Sequence, residues 1–337
     1  MKRKEVKNQI KQLFHEHKRE LIISASIVAG ILLVSWGYSH FFVADSISSK
    51  GSEKESEVKE VYPQRVSVDQ ETDVSLNVAG AYSFYYDKEG NGKVLYEKNK
   101  KERFPIASIS KLMTALVVFE NYDLRAEMGV KEQEVTSRTE FRDFRAWSET
   151  EVGEMLYPML IESNNSAAFA LALISNRFLE NGKDPIDSFV KEMNKKAREL
   201  GLEKTEFINP SGLDGKNDNY NISTAEEVGK LAKYLLENEE KIMEISQMRS
   251  YRLYSPDGMV YYEAVNTNDF LHAPDRDWKK NIVGGKTGWT YAAYGCLLIV
   301  IELPDNEGYI VNVVLGAEDR FKEMEKMIEY VHENYHF

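Results

Sequence analysis

The chain has 337 residues, 42% hydrophobic and 29% charged, enough for one large folded domain or two small ones. Its net charge of −12, with no basic stripe in the body of the chain, argues against nucleic-acid binding. A single cysteine, Cys296, excludes an internal disulfide; of six histidines only His272 lies in the body, which disfavours a histidine metal site and leaves one candidate for a Ser-His-Asp triad.

Residues 1–20 form a basic tail in which Lys2, Arg3, Lys4, Lys7, Lys11, Lys18 and Arg19 outnumber the acids. Residues 21–43 then run without a formal charge. At about 1.5 Å per residue such a helix spans a hydrocarbon core, so the segment is expected to be a transmembrane anchor. The basic tail would stay in the cytoplasm and the remainder would lie outside the membrane. A cleaved signal peptide is the rival reading, although no Ala-x-Ala site follows. Residues 44–75, rich in Ser, Glu, Lys and Val, read as a solvated stalk, and residues 76–337 as the folded domain.

The folded part is expected to open with a hairpin, Ala81–Tyr86 and Lys93–Tyr96 around a Gly90-Asn91-Gly92 turn. Ser148-Glu149-Thr150-Glu151 has the spacing of a capping box and predicts a helix from Val152. Met155 to Ile161, Ala167 to Ile174 and Asp187 to Leu200 also read as helices. A second hairpin follows, Gly295–Leu303 and Tyr309–Leu315. Cys296 sits in its first, apolar strand, where a thiol is expected to be buried and inert. The segment from Arg320 to Val331 puts Phe321, Met324, Met327, Ile328 and Val331 on one helical face. Strands at both ends with helices between predict an α+β fold: one antiparallel sheet built from both chain ends, flanked by helices, with an all-helical lobe inserted.

Three short motifs carry chemistry. Ser108-Ile109-Ser110-Lys111 follows Pro105 and precedes a strongly apolar helical run. The proline predicts a helix start, and a spacing of three places Ser108 and Lys111 on one face. The helix N-terminus would favour a developing oxyanion. Lys111 can serve as a base only if neutral, which burial and a neighbouring cation such as Lys286 would bring about. Two further Ser-x-x-Lys tetrads, Ser56 to Lys59 and Ser188 to Lys191, show that this pattern alone proves little. Ser163-Asn164-Asn165 lies at a break between apolar helices; Ser163 could relay a proton and Asn165 could hold substrate and Lys111, or the cluster could be a plain helix cap. Lys286-Thr287-Gly288-Trp289, preceded by Gly284-Gly285, fits a glycine-lined strand edge on which Lys286 and Thr287 meet a carboxylate. The Trp289 and Ser108 N–H groups would complete an oxyanion hole. An exposed β-turn lysine is the bland alternative.

With these motifs in series, residues 76–337 resemble the serine-type D-Ala-D-Ala carboxypeptidases, low-molecular-mass penicillin-binding proteins. Pro105 to Leu116 is similar to that family's nucleophile helix, and Asn209-Pro210-Ser211-Gly212-Leu213-Asp214-Gly215 to a loop before its third motif. Asn266-Thr267-Asn268 and Tyr294-Gly295-Cys296 resemble its late signatures. The resemblance implies a β-lactamase/DD-peptidase fold and hydrolysis of peptidoglycan stem peptides ending in D-Ala-D-Ala, with no cofactor or metal. It implies Ser108, Lys111 and Ser163 as catalytic residues, with Asn165, Lys286, Thr287, Gly288 and Trp289 binding substrate and β-lactams inhibiting through Ser108. Asn164 departs from the family's smaller residue and would narrow the cleft. A cross-link endopeptidase, a non-catalytic penicillin-binding or wall-sensing protein, and a β-lactamase are the alternatives. The last needs a water-activating carboxylate, for which only Glu199-Leu200-Gly201-Leu202-Glu203 stands in the region.

Overall fold

The computed structural model describes residues 63–65, 74–130, 134–135, 150–177, 184–255, 257–272, 275–304 and 307–337. All belong to the second of two compact units, Val61–Phe337. The basic tail, the apolar segment 21–43 and most of the stalk lie outside the described residues, among which no helix is long and apolar enough to cross a membrane.

The described chain begins with a two-residue strand, β1 (Gln64–Arg65), and the hairpin β2 (Gly80–Tyr86) and β3 (Gly92–Lys98). Strand β4 (Phe104–Pro105) and a 3-10 turn (Ala107–Ser110) lead into helix α1 (Lys111–Asn121). Helices α2 (Leu156–Ile161), α3 (Asn165–Leu173) and α4 (Pro185–Glu199) follow, then β5 (Ile222–Ser223), α5 (Ala225–Asn238) and α6 (Glu240–Ser246). A hairpin, β6 (Ser250–Tyr254) and β7 (Val260–Val265), and two single turns, α7 (Asp269–His272) and α8 (Asp277–Lys280), precede the last strands. These are β8 (Ile282–Thr290), β9 (Tyr294–Glu302) and β10 (Tyr309–Ala317), followed by α9 (Arg320–Asn334) and β11 (Tyr335–His336).

One five-stranded antiparallel sheet, ordered β3-β2-β10-β9-β8, joins the two ends of the described chain, as the sequence predicts. Strands β9 and β10 are buried on both faces, which is why they read as unbroken apolar runs. Leu297, Ile299 and Ile301 pack with Met324, Met327 and Ile328 of α9. Cys296, Leu298 and Val300 face the core that holds α1 and α5. Each buried Met or Ile of α9 contributes about 1.5–3 kcal/mol, so this helix is held by the sheet rather than by its own propensity.

Helix α1 is the axis of the helical lobe. Its residues Lys111 to Val118 are all buried, and a helix apolar nearly all round belongs in an interior. The lobe and the sheet meet along β8, the edge strand that packs against the Ala107–Ser110 turn and α6.

Three local expectations differ. Pro105 does not start a helix; it lies in β4, paired with Ile222, and the α-helix begins only at Lys111. A proline suits so short an edge strand, since it has no N–H to lose. The helix near Val152 exists but opens as a 3-10 turn with no side-chain cap, because Glu151 bridges to Glu127 and Thr150 Oγ1 meets Tyr261 OH at 3.2 Å. Within the stretch read as stalk, Gln64 and Arg65 pair with His336 and Tyr335, and Pro63 O accepts from Lys93 Nζ at 2.8 Å.

Candidate active site

Ser108 lies in the Ala107–Ser110 turn and Lys111, three residues on, is the residue that follows it and opens α1. In a 3-10 turn residues three apart eclipse, and Lys111 Nζ lies 2.7 Å from Ser108 Oγ. The turn is strained: Ala107 has φ +46°, uncommon for a residue with a side chain. What holds it is the loop after α4. Asn209 Oδ1 accepts from the N–H groups of Ser211 and Gly212, at 3.0 and 2.7 Å, and Pro210 O accepts from Thr114 Oγ1 at 2.6 Å. Gly212, at φ +85°, then backs directly onto Ala107, where a Cβ would sit 1.9 Å from the Ala107 carbonyl oxygen.

Lys111 is completely buried, with Asn165 Oδ1 and Ser211 O each 2.7 Å from Nζ. Burial first, and the Lys286 cation second, hold its pKa well below the usual lysine range. A neutral amine has two N–H donors and one lone pair. Nζ is within donating distance of Ser108 Oγ and both carbonyls; in the neutral form the carbonyls of Asn165 and Ser211 would take its two hydrogens and leave the lone pair for the Ser108 hydroxyl. That is the geometry of a general base beside its nucleophile.

The Ser163-Asn164-Asn165 segment divides its work. Asn164 is the N-cap of α3: its Oδ1 accepts from Ala167 N–H at 2.9 Å, and its Nδ2 donates to Glu162 Oε1 at 2.7 Å. Its amide is thus committed to its own helix and to Glu162, which also binds Tyr262 OH. Asn165, one residue on, reaches Lys111. Ser163 is half-buried at φ +66° and takes no part in the bonds joining Lys111 to Ser108 and Asn165.

Strand β8 forms the opposite wall. Lys286 is 2% exposed, and burial together with Arg320 lowers its pKa to about 7. Its Nζ donates to Thr287 O at 3.0 Å, and Thr287 Oγ1 is hydrogen-bonded to Thr267 Oγ1. Gly288 is where strand and turn touch: a Cβ there would meet Ala107 Cβ and Ser108 N at 3.1 Å. Arg320 Nη1 donates to Gly288 O at 3.4 Å from the start of α9. Trp289, next along, is half-exposed.

The structure therefore brings Ser108, Lys111 and Asn165 into one hydrogen-bonded group, with Gly288 against it and Lys286 coupled to it by charge. The Ser211 carbonyl, Thr267 and Arg320 were assigned no role by sequence reasoning. The first two lie in segments noted only as similar to family signatures, and nothing in the sequence around Arg320 marks it. His272 Nε2 lies 2.7 Å from Asn266 O, tied to backbone rather than to a serine. Buried Cys296 has its thiol pKa raised to about 11 by desolvation. Among the described residues no group of His, Cys, Asp or Glu is placed to hold a metal ion.

A serine next to the strained Ala107, facing a fully buried lysine of lowered pKa, with a second buried lysine on a glycine-lined strand, has the make-up of a serine acyl-transfer site of the Ser/Lys type. The chain belongs to the D-alanyl-D-alanine carboxypeptidase family, whose profile matches residues 73–319. It is 31% identical over 252 residues to D-alanyl-D-alanine carboxypeptidase DacF of Bacillus subtilis, across 72% of this chain and 60% of that one. It is 33% identical to the D-alanyl-D-alanine endopeptidase of Escherichia coli, across 68% and 69%. Among solved structures it resembles penicillin-binding protein D2 of Listeria monocytogenes in its cefotaxime-bound form. There the TM-score is 0.57 at 27% identity, over 77% of this chain and 99% of that one.

Proposed function

We propose that this protein is a serine D-Ala-D-Ala carboxypeptidase that removes the terminal D-alanine from peptidoglycan stem peptides and is acylated by β-lactams. The observation that carries the reading is the 2.7 Å approach of Ser108 to a lysine whose two amine hydrogens are already engaged. Ser108 Oγ attacks the penultimate D-alanyl carbonyl as its proton passes to Lys111. The N–H groups of Ser108 and Trp289 stabilise the oxyanion, while Lys286 and Thr287 hold the terminal carboxylate. The proton then reaches the leaving nitrogen with Ser163 as relay, the C–N bond breaks, and water hydrolyses the Ser108 ester. Asn165 orients Lys111 and the substrate backbone, and Gly288 lets the substrate lie close to the turn. No cofactor or metal enters these steps.

Residues 21–43 would anchor the chain, with residues 1–20 in the cytoplasm and the catalytic domain outside the membrane, where its substrate lies. A β-lactamase reading has little to stand on: Glu199 is exposed at the end of α4 and paired with Lys196 at 3.1 Å, and Glu203 is exposed. An endopeptidase acting on D-Ala cross-links has specific support in the 33% identity to the E. coli enzyme.

The test is intact-mass spectrometry of the detergent-solubilised full chain with benzylpenicillin, alongside D-alanine release from a stem pentapeptide and cleavage of a cross-linked muropeptide dimer. A slowly lost adduct, absent in Ser108→Ala, together with D-alanine release, is expected. An adduct without any D-alanine release would favour the wall-sensing alternative, and cleavage of the dimer alone would make the protein an endopeptidase.

A further inference from the structure

Ser163 stands in a backbone conformation that a side chain makes costly. It follows Glu162, the C-cap of α2, and has φ +66°, the left-handed turn at which helices commonly end and for which glycine is the usual residue. The two residues that flank it are tied to each other across it. Asn164 Nδ2 donates to Glu162 Oε1 at 2.7 Å, and Tyr262 OH donates to the same oxygen. Asn164 Nδ2 also lies 3.4 Å from the Tyr262 hydroxyl, so three side chains close a ring of polar contacts beside Ser163. Asn164 is fixed from below as well, its Oδ1 accepting from Ala167 N–H at 2.9 Å and its own N–H donating to Pro158 O at 3.0 Å. The same segment reaches the reacting groups through Asn165, whose Oδ1 is 2.7 Å from Lys111 Nζ.

Tyr262 belongs to the β6–β7 hairpin, and that hairpin is fastened to the helical lobe without its hydroxyl. Tyr251 OH lies 3.2 Å from both carboxylate oxygens of Glu154, and its ring stacks on Tyr157 with centroids 3.7 Å apart. Tyr261 OH meets Thr150 Oγ1 at 3.2 Å, and Leu253 and Ala264 are buried. The Tyr262 hydroxyl is therefore a fixed point from which Glu162 and Asn164 are held. The consequence is chemical, because in the mechanism above the leaving nitrogen must be protonated as its C–N bond breaks. A relay works only within hydrogen-bond reach, and a misplacement of about 1 Å is enough to impair it. Sulfur makes no such demand: a thiol has a pKa of about 8.5, so a thiolate leaves without a proton.

We propose that Tyr262 is a positioning residue for protonation of the leaving group, acting through Glu162 and Asn164 to hold Ser163 in place. The inference rests on the carboxypeptidase reading and its use of Ser163. It is tested with the full chain, Tyr262→Phe and the neighbouring Tyr261→Phe. The measurement is kcat/KM for a stem pentapeptide and for the same acyl group as a thioester of 2-mercaptopropionate. In the amide the C–N electron pair goes to nitrogen, which takes the Ser108 proton by way of Lys111 and Ser163. In the thioester sulfur leaves with the C–S pair and the proton stays on Lys111. Tyr262→Phe should lower the amide value about tenfold, the scale of one hydrogen bond to a charged group, and leave the thioester value within about twofold. Tyr261→Phe should leave both as in wild type, and Tyr262→Phe added to Ser163→Ala should cost nothing further, since the relay is already gone. Equal losses on both substrates, no loss on either, or a full further loss in Ser163→Ala overturns the proposal. If wild type releases no D-alanine, the carboxypeptidase reading fails and acylation by benzylpenicillin decides, because its lactam C–N bond also breaks. Acylation about tenfold slower in Tyr262→Phe then supports the brace. Acylation as in wild type overturns it, and so does a wild type that is not acylated at all.

Discussion

Gly212→Ala separates the strain of a left-handed backbone from the support that the loop gives the nucleophile. Gly212 has φ +85°, and its Cβ would stand 1.9 Å from Ala107 O, 2.3 Å from Ala107 C and 2.9 Å from Ser108 N. All are backbone atoms, so no side chain can swing away. Since real Cβ atoms stay beyond 3.0 Å, the loop and the Ala107–Ser108 backbone must part by about 1.1 Å, the difference between that limit and 1.9 Å. A misplacement near 1 Å costs about a hundredfold in rate, and the left-handed alanine alone costs about 1–2 kcal/mol. Gly258→Ala is the control: φ is +82° there, but nothing lies within 4 Å of the added methyl. Both variants are expected to lose about 1–2 kcal/mol from backbone strain, with Gly212→Ala losing more. Only Gly212→Ala should also lose about a hundredfold in the second-order rate of acylation by a fluorescent penicillin. Acylation within threefold of wild type in a folded Gly212→Ala would falsify the claim that this loop positions Ser108.

The buried lysines give the remaining predictions. Lys286 has a folded pKa of about 7 against 10.5 unfolded, so between those values the unfolded chain binds more protons and stability rises with pH. Lys286→Met should therefore raise Tm at pH 7 while weakening binding of carboxylate-bearing substrates, and the gain should shrink as pH approaches 10; a lower Tm at pH 7 would refute it. Lys286 also lowers the Lys111 pKa, so Lys286→Gln should move the acid limb of the acylation pH profile to higher pH, and an unmoved limb would show that the two charges do not communicate. Lys111→Ala should cut acylation by about a hundred- to ten-thousandfold with substrate KM little changed, the range of a lost general base, as stopped-flow acylation would show. Asn165→Ala removes one of the two carbonyl acceptors for the Lys111 amine and should lower the acylation rate by about five- to thirtyfold, the scale of 1–2 kcal/mol for a broken buried hydrogen bond; full activity would mean that Ser211 alone orients the amine.

What the sequence showed of this fold was set by how local each cause is. The hairpins, α4 and α9 follow from periodicity and turn residues within a short window, and the Ser108–Lys111 pairing follows from a spacing of three. Pro105 misled because its conformation is decided by Ile222, far along the chain, which makes it a strand residue rather than a helix start. Thr150 likewise looked like part of a cap, yet its hydroxyl meets Tyr261 from the β6–β7 hairpin. The same distinction divides the site. Ser108, Lys111 and Lys286 could be named as residues, but the lowered pKa of Lys111 comes from burial in the folded lobe and from the charge of Lys286, brought in from a distant segment. Arg320 is the extreme case, the first residue of a helix whose pattern announces only its buried face.

The two lysines make a site in which charge has to be supplied by the substrate. Near neutral pH Lys286, at about 7, is divided between its two forms, while the pKa of Lys111 is lowered mainly by burial. A substrate carboxylate arriving at Lys286 favours its ammonium form. A fully charged Lys286 in turn opposes protonation of Lys111, so in the proposed mechanism the step that fixes the substrate would also secure the lone pair that accepts the Ser108 proton. A histidine base titrates near neutral pH without help, whereas a lysine must be forced to, and burying two of them opposes folding at that pH. The compensation lies in the doubly covered β9 and β10 and in α1, whose residues Leu112 to Val118 are buried behind Lys111. The burial that stabilises the lobe is the same burial that lowers the pKa of Lys111 towards that of a usable base.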